Sequence, residues 1–359
     1  MRLMASVAPL TRPDSVASRE ASPSRPSLRW VIAAQCPPGW WALLERSDGG
    51  VFHSPAGLGV AGPAGVSVFA ELHDGEQAVG LAAGVALRCR IGFGRRHYYF
   101  PTVPAVIDPS RTTDALRSLV DTLRAVGAVQ VQIDSFDAPW RPEPGDATIV
   151  TERLEYVVRL TRSEEEMAGG FSKHHRRHVQ RGDRDGWMLR ELESEEARTL
   201  LSAVQREASA RAAGRGDPFA ASHPNVRSIP PGGGAPWGVT TFSAWHGDVP
   251  LAAALVGWAN RRAFYLIGGS TPAGYACDAA QWMHWRIMCA LRAHGFTQYN
   301  LGGTPASASQ AGDPAHGLYR FKTGFGPDVV SCRSTGWTLS EGHARAHRMV
   351  RRVADYLRH

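Results

Sequence analysis

Residues 123–130 read Leu123-Arg-Ala-Val-Gly-Ala-Val-Gln130, and residues 291–298 read Leu291-Arg-Ala-His-Gly-Phe-Thr-Gln298. They agree at Leu-Arg-Ala, at the glycine and at the closing glutamine, 168 residues apart. Working outward, Arg95-Arg96-His97-Tyr98-Tyr99 returns as Arg261-Arg262-Ala263-Phe264-Tyr265. Further upstream, Val68-Phe69-Ala70-Glu71-Leu72-His73 before Asp74-Gly75 is echoed by Thr241-Phe242-Ser243-Ala244-Trp245-His246 before Gly247-Asp248. Three matches in one order at similar spacing indicate a duplicated unit, and so long a period means two related domains rather than a solenoid.

Each unit has a readable order. Phe69 to Arg88 alternates about Asp74-Gly75 as a hairpin does, and His97 to Phe100 has the aromatics of a pleated strand. Leu116, Leu119, Val120 and Leu123 follow at helical spacing, Gly127 stands where a C-cap belongs, and 129–133 closes as a strand. The second unit is expected to place strands at 239–246, 251–259 and 263–267, a helix over 278–294 stopped by Gly295, and a strand at 296–301. Hairpin, strand, helix, strand resembles the acetyltransferase-like GNAT fold. The expected class is therefore α/β (α+β): two tandem GNAT-like domains, 29–150 and 151–340, with mixed central sheets flanked by helices.

Composition bounds the remainder. A chain of 359 residues exceeds what one core usually supports. Residues 1–28, rich in Ser, Pro, Arg and Ala, read as a disordered tail. Residues 341–359 read as a basic amphipathic helix packed on the domains, opened by a capping box at Thr338-Leu-Ser-Glu341. No run is apolar enough to span a bilayer, so no stable membrane insertion and a cytoplasmic location are expected. Five cysteines without a CxxC pair argue against a disulfide framework or structural zinc. The formal net charge of +7 favours an anionic partner. Only two of the forty basic residues are lysine, Lys173 and Lys322. A GC-rich genome explains the general bias toward arginine. It does not explain the two retained lysines, whose compact charge differs physically from a guanidinium fork.

Both lysines sit in segments resembling one family. Phe171-Ser-Lys173-His-His-Arg176-Arg177-His178-Val-Gln-Arg181 resembles the K-x-x-R-x-x-I-x-x-A helix of Fem-type aminoacyltransferases, which build peptide bridges on cell-wall precursors from aminoacyl-tRNA. Gly317-Leu-Tyr319-Arg-Phe321-Lys322-Thr-Gly324-Phe325-Gly326 is similar to that family's G-L-x-x-F-K-x-x-F-G box. Between them lie a Y-x-x-G-G-S match, Tyr265-Leu-Ile-Gly268-Gly269-Ser270, and a Y-D-x-G-G match with Asn for Asp, Tyr299-Asn300-Leu-Gly302-Gly303. Phe52-His53-Ser54-Pro55 is a thin match to the first box, lacking its Gln and Trp. The resemblance spans about 300 residues and is strong only in the second half.

It implies aminolysis of an ester: an amine attacks the aminoacyl group at the 3′ end of tRNA and the ribose hydroxyl leaves. Aminoacyl-tRNA is then a co-substrate, no separate cofactor is needed, and the acceptor is an amine of a small molecule or peptide. Lys322 is the expected oxyanion partner, with Phe321 against the terminal adenine. Asp134, closing the first unit, is a candidate proton acceptor or ammonium site, and Tyr265 a candidate acceptor contact. Tyr319, Gly268, Gly269, Ser270 and Tyr299 follow as substrate-binding positions. Lys173, Arg176, Arg177 and Arg181 suit tRNA phosphates; a merely solvated basic face competes with that reading.

His174 and His178 stand at i, i+4, as do His343 and His347, but no third ligand is evident, so no metal is expected. Three other functions compete with this reading. A CoA-dependent N-acyltransferase needs a pyrophosphate loop, and Arg211-Ala-Ala-Gly214-Arg-Gly216 follows a helical stretch rather than a strand. A cell-wall bridge-forming enzyme fits poorly with the absence of Lys or Arg from His53 to Leu87. A catalytically silent binding module is disfavoured by intact Lys322. An acceptor in antibiotic-type biosynthesis fits these departures better. Neither the transferred amino acid nor the oligomeric state follows from the sequence.

Overall fold

The computed structural model describes residues 28–61, 65–89, 94–138, 147–214 and 237–342, with Arg345. All but the last residue of the expected 1–28 tail, most of the expected C-terminal helix and the glycine-rich stretch from 215 to 236 lie outside them.

The repeated Leu-Arg-Ala-x-Gly stretches fold identically. In the first unit Ala115, Leu116, Leu119, Val120 and Leu123 bury one face of a helix ending at Ala125. Gly127 then turns at φ 79°, and the Ala128 N–H returns to the Leu123 carbonyl at 3.0 Å. In the second unit Gly295 also has φ 79°, and Phe296 N–H returns to Leu291 at 3.0 Å. A left-handed residue is what such a helix stop requires, and glycine adopts it without a Cβ penalty.

The first unit comprises β1 (Arg29–Ala33), α1 (Trp40–Arg46), α2 (Pro55–Ala61), the β2–β3 hairpin (Val66–Asp74, Gln77–Arg88), β4 (Arg96–Phe100), β5 (Ala105–Val106), α3 (Thr112–Ala125) and β6 (Gln130–Ile133). The second comprises β7 (Ile149–Arg159), α4 (Glu164–Gly169), α5 (Lys173–Arg184), β8 (Met188–Leu192), α6 (Ser194–Ala213), the β9–β10 hairpin (Trp237–His246, Val249–Ala259), β11 (Arg262–Ser270), α7 (Pro272–Ala276), α8 (Ala279–Ala293), β12 (Gln298–Pro305), α9 (His316–Thr323) and β13 (Asp328–Thr338). Thr338, expected in a capping box, instead ends β13 and faces Thr148 across 3.2 Å.

Among the described residues thirteen strands join one mixed sheet, ordered β1-β2-β3-β4-β6-β13-β7-β12-β11-β10-β9-β8, with β5 beside β3. Strand β13 bridges the units, pairing with β6 on one side and β7 on the other. Each unit has one parallel pair, β4 with β6 and β11 with β12, joined by its helix.

The repeat is one residue out of register with its reading in sequence. Arg96 corresponds to Arg261 rather than Arg262, since Val129 N–H donates to Arg96 at 2.9 Å and Thr297 N–H to Arg261 at 2.8 Å. Likewise Gly75 and Gly247 occupy the same place in the hairpin loops, after Asp74 and His246. Arg-Arg occurs in both copies, so sequence alone could not fix the frame.

Two main cores lie beneath the units, one around Leu72, Phe100, Leu119 and Val131, the other around Trp282, Met288, Tyr299 and Phe325. Fully burying a side chain of this size stabilises by about 1.5–3 kcal/mol. A smaller cluster seats Phe52 of the first unit on Phe264 of β11.

Candidate active site

Strands β11 and β12 pair only through Arg262–Gln298, Ala263–Tyr299 and Phe264–Asn300. Beyond that point β11 follows β10 to Ser270, while β12 follows β7 to Pro305. The two strands part, and a wedge opens between them. The local cause is Asn300: its Oδ1 accepts the Gly302 N–H at 2.9 Å, which takes that donor away from the neighbouring strand. Gly302 sits at φ 74°, and a Cβ there would stand 3.3 Å from the Tyr265 carbonyl oxygen and 3.4 Å from Lys322 Nζ.

Lys322 projects from α9 into this wedge. It is 4 % exposed and donates to the Gly303 carbonyl at 2.9 Å, with the Tyr156 ring 5.8 Å away. An ammonium has three donors, so the other two remain for a ligand. Burial pulls its pKa down to about 7; Glu155 opposes that shift and Arg153 adds to it.

Around it stand Tyr265, Tyr299, Phe321 and His284. Tyr299 is fully buried and shares a 3.0 Å hydrogen bond with His284 Nδ1. His284 packs edge-on against Tyr265, with ring centroids 4.7 Å apart, and lies 5.6 Å from Phe321. Burial, and then the Lys322 charge, hold His284 down to about 3, so it is a neutral ring at physiological pH. Burial likewise raises both tyrosines.

The two lysine-bearing boxes meet here. His175 of α5 donates from Nε2 to the Phe321 carbonyl at 2.9 Å and accepts from Ser172 at Nδ1, 3.0 Å. Burial pulls it down to about 4. A Cβ on Gly324 would come within 2.0 Å of that ring. The glycine at 324 therefore makes room for His175. Tyr319 stacks on His316 and packs edge-on against Tyr156.

Behind the wedge lies a buried carboxylate network. Glu155 accepts from Arg153 at 2.6 Å, from Asn300 Nδ2 at 2.9 Å and from the Asp137 N–H at 3.1 Å. Asn300 also donates to Asp137 at 3.2 Å. Burial raises both acids, opposed by the arginines and by Asn300. This accounts for the departure from the Y-D-x-G-G pattern. An aspartate at 300 would put a third carboxylate where two already need a donor. A cleft of about 420 Å³ opens beside the network, lined by Asp48, Asp137, Glu155, Asp328 and Arg262 among others.

The other expected residues fall elsewhere. Gly269 lies under α6, where a Cβ would be 2.8 Å from the Val204 carbonyl, and the Gly268 and Ser270 carbonyls accept from Gln205 and Arg211. Gly269 thus lets α6 approach β11, whereas a Cβ on Gly268 would meet the Ala253 carbonyl at 2.4 Å and the Tyr265 hydroxyl at 2.7 Å. Asp134 belongs to the first unit's parallel pair and accepts from Tyr99 at 2.8 Å and Gln132 at 3.1 Å. His53 is buried and neutral, donating to the Val103 carbonyl, and acts in packing. On α5, Lys173 and Arg177 are exposed, Arg176 reaches the Gly169 carbonyl, and Arg181 pairs with Asp185 at 3.2 Å. His284, His175, Glu155 and Asp137 were missed. Only the Asn in the Y-D-x-G-G match hinted at their network.

Residues 169–323 match the family model described as an acetyltransferase (GNAT) domain. No curated protein matches the chain. Among solved structures, FemX aligns at a TM-score of 0.54 with 14% identity, over 74% of this chain and 87% of that one. A tandem GNAT protein from the clavulanic acid biosynthesis pathway aligns at 0.47, with 13% identity over 88% and 99%. L-PGS from Bacillus licheniformis aligns at 0.44, with 10% identity over 77% and 86%. The fold is GNAT, and the matched region is an acyltransferase-type domain that includes Lys322.

Proposed function

We propose that this chain transfers an aminoacyl group from aminoacyl-tRNA to the amine of a small molecule or peptide. The observation that carries the reading is Lys322: a buried ammonium, anchored by one backbone carbonyl, with two donors free at the mouth of the only parallel pair that opens among the described residues. The neutral amine attacks the ester carbonyl, and its oxygen becomes an oxyanion facing Lys322. Collapse breaks the bond to the ribose oxygen, which leaves with the proton that the amine sheds. A preorganised charge at such an oxyanion supplies about 3–4 kcal/mol of barrier reduction. The carboxylate-lined cleft suits an acceptor that arrives as a cation, and exposed Lys173 and Arg177 suit phosphate.

Acetyl-CoA is the second reading, favoured by the description of the matching family model. Local geometry weighs against it. A pyrophosphate wants free N–H groups at a helix start after β11. There Pro272 has none, Thr271 takes the N–H groups of Gly274 and Tyr275, and Asp278 stands at the start of α8. The test is product formation from pooled aminoacyl-tRNAs. Turnover should vanish on RNase treatment, survive without CoA, and show binding that weakens steeply with salt. Activity with acetyl-CoA and no RNA would transfer the case to the second reading.

A further inference from the structure

Helix α5 brings two of its histidines against the residue that opens α8. His178 is buried, and its Nδ1 faces the Cys277 carbonyl at 3.3 Å. A carbonyl only accepts, so Nδ1 carries the proton and Nε2 of the neutral ring bears a lone pair. That lone pair faces Asp278 Oδ2 at 3.5 Å, and His174 Nε2 lies 3.8 Å from the same oxygen. The two rings are 4.4 Å apart, and one ligand atom from each of the three side chains falls within 4.8 Å of the others.

Asp278 takes a left-handed conformation at φ 57° yet makes no side-chain capping bond to α8. Gln281 holds its Oδ1 at 3.3 Å, which leaves Oδ2 toward the histidines. His174 and Asp278 are half exposed, so water reaches the remaining side.

We propose that His174, His178 and Asp278 form a three-ligand site for a divalent transition-metal ion, with zinc the best fit. Two imidazoles and one carboxylate are a borderline-soft set that suits zinc over magnesium or calcium. Bonds of about 2.0–2.2 Å in a tetrahedron put ligand atoms roughly 3.3–3.6 Å apart, close to the 3.5 and 3.8 Å found without an ion. The Nδ1 bond to Cys277 fixes ring and tautomer as ligating histidines need. Arg177 approaches His178 Nε2 at 3.4 Å and would have to turn out; its side chain is exposed and free to do so. The ion would tie the basic helix to the sheet-covering α8.

The sequence offered no third ligand because Asp278 is far along the chain, and only the packing of α5 on α8 supplies it. The test is calorimetric titration of the full chain, carrying His343→Ala and His347→Ala to remove the other i, i+4 pair, with zinc chloride alone. One equivalent should bind and raise the thermal midpoint. His174→Ala and Asp278→Asn, both half-exposed positions, should each weaken binding at least about tenfold and abolish the midpoint shift. Asn tolerates the left-handed conformation, so Asp278→Asn keeps the backbone. No stoichiometric binding, or equal affinity in all three proteins, would overturn the site.

Discussion

The two parallel strand pairs of this chain begin alike and end differently. In the first unit β4 and β6 pair through Phe100–Ile133 and stay zipped beyond it: Asp134 N–H donates to the Phe100 carbonyl at 2.8 Å and Phe136 N–H to Pro101 at 3.0 Å. Thr102 then closes on the Phe136 carbonyl at 2.7 Å. In the second unit the equivalents of Phe100, Gln132 and Asp134 are Tyr265, Asn300 and Gly302. Asn300 is one methylene shorter than Gln132, and its Oδ1 accepts the Gly302 N–H, whose counterpart on Asp134 donates across the strands. The zip stops, the strands part, and the Lys322 ammonium group reaches the opening. One duplicated scaffold thus yields a closed, structural copy and an open copy fit for a ligand, and the difference rests on two positions.

The largest expected effect tests whether the open copy is the reactive one. Lys322→Met should lower kcat by roughly two to three decades with little change in KM for tRNA, because the lost contact belongs to the transition state. The same variant carries a pH signature. The charge-stabilising role needs the ammonium, so the rate ratio of wild type to variant should fall as pH rises through about 7. Stability moves oppositely. A lysine whose folded pKa is lowered binds fewer protons than the unfolded chain between about 7 and 10.5, so wild type gains stability across that window relative to Lys322→Met. Activity that rises with pH in the same ratio would recast Lys322 as a base, and a fully active, folded variant would remove it from the mechanism.

Next in size is Asn300→Asp, which writes the Y-D-x-G-G pattern into this chain. It removes the donors to Glu155 and Asp137 and adds a third buried carboxylate, which should destabilise by about 3 kcal/mol. Crowded carboxylates have raised folded pKa values, so the loss should grow with rising pH and shrink in acid. Urea titrations at two pH values would measure it. An unchanged protein at neutral pH would mean that the network is more hydrated than its burial indicates.

Much of the fold was legible because the helix stops at Gly127 and Gly295 and both hairpins announce themselves locally. The site was legible only in part. Lys322 stood out because arginine replaced lysine nearly everywhere else. His284, His175 and Glu155 carry no local signal, because their meaning lies in which strands and helices meet. The Gly268-Gly269-Ser270 segment marks a helix seat as readily as a ligand contact, and periodicity cannot separate the two.

A smaller effect is expected at the wedge floor. Gly302→Ala places a methyl 3.4 Å from Lys322 Nζ at a left-handed backbone position. Strain of about 1–2 kcal/mol and partial filling of the opening should reduce kcat/KM roughly tenfold while leaving the thermal midpoint only slightly lowered. A large fall in the midpoint with full activity would place the glycine's importance in folding.

The smallest effect is expected in the closed copy, at Asp134→Asn. The carboxylate is spent on Tyr99 and Gln132, and its backbone N–H holds the strands together regardless of the side chain. Exchanging an oxygen for an amide weakens a charge-assisted bond without opening the pair, so stability should drop by about 1 kcal/mol. Turnover should stay within about twofold of wild type if the reaction takes place in the other wedge. A fall of a hundredfold or more, in a protein that still unfolds at its normal midpoint, would give Asp134 the proton-accepting role its place at the end of β6 first suggested. The zipped copy would then have to face the substrate after all.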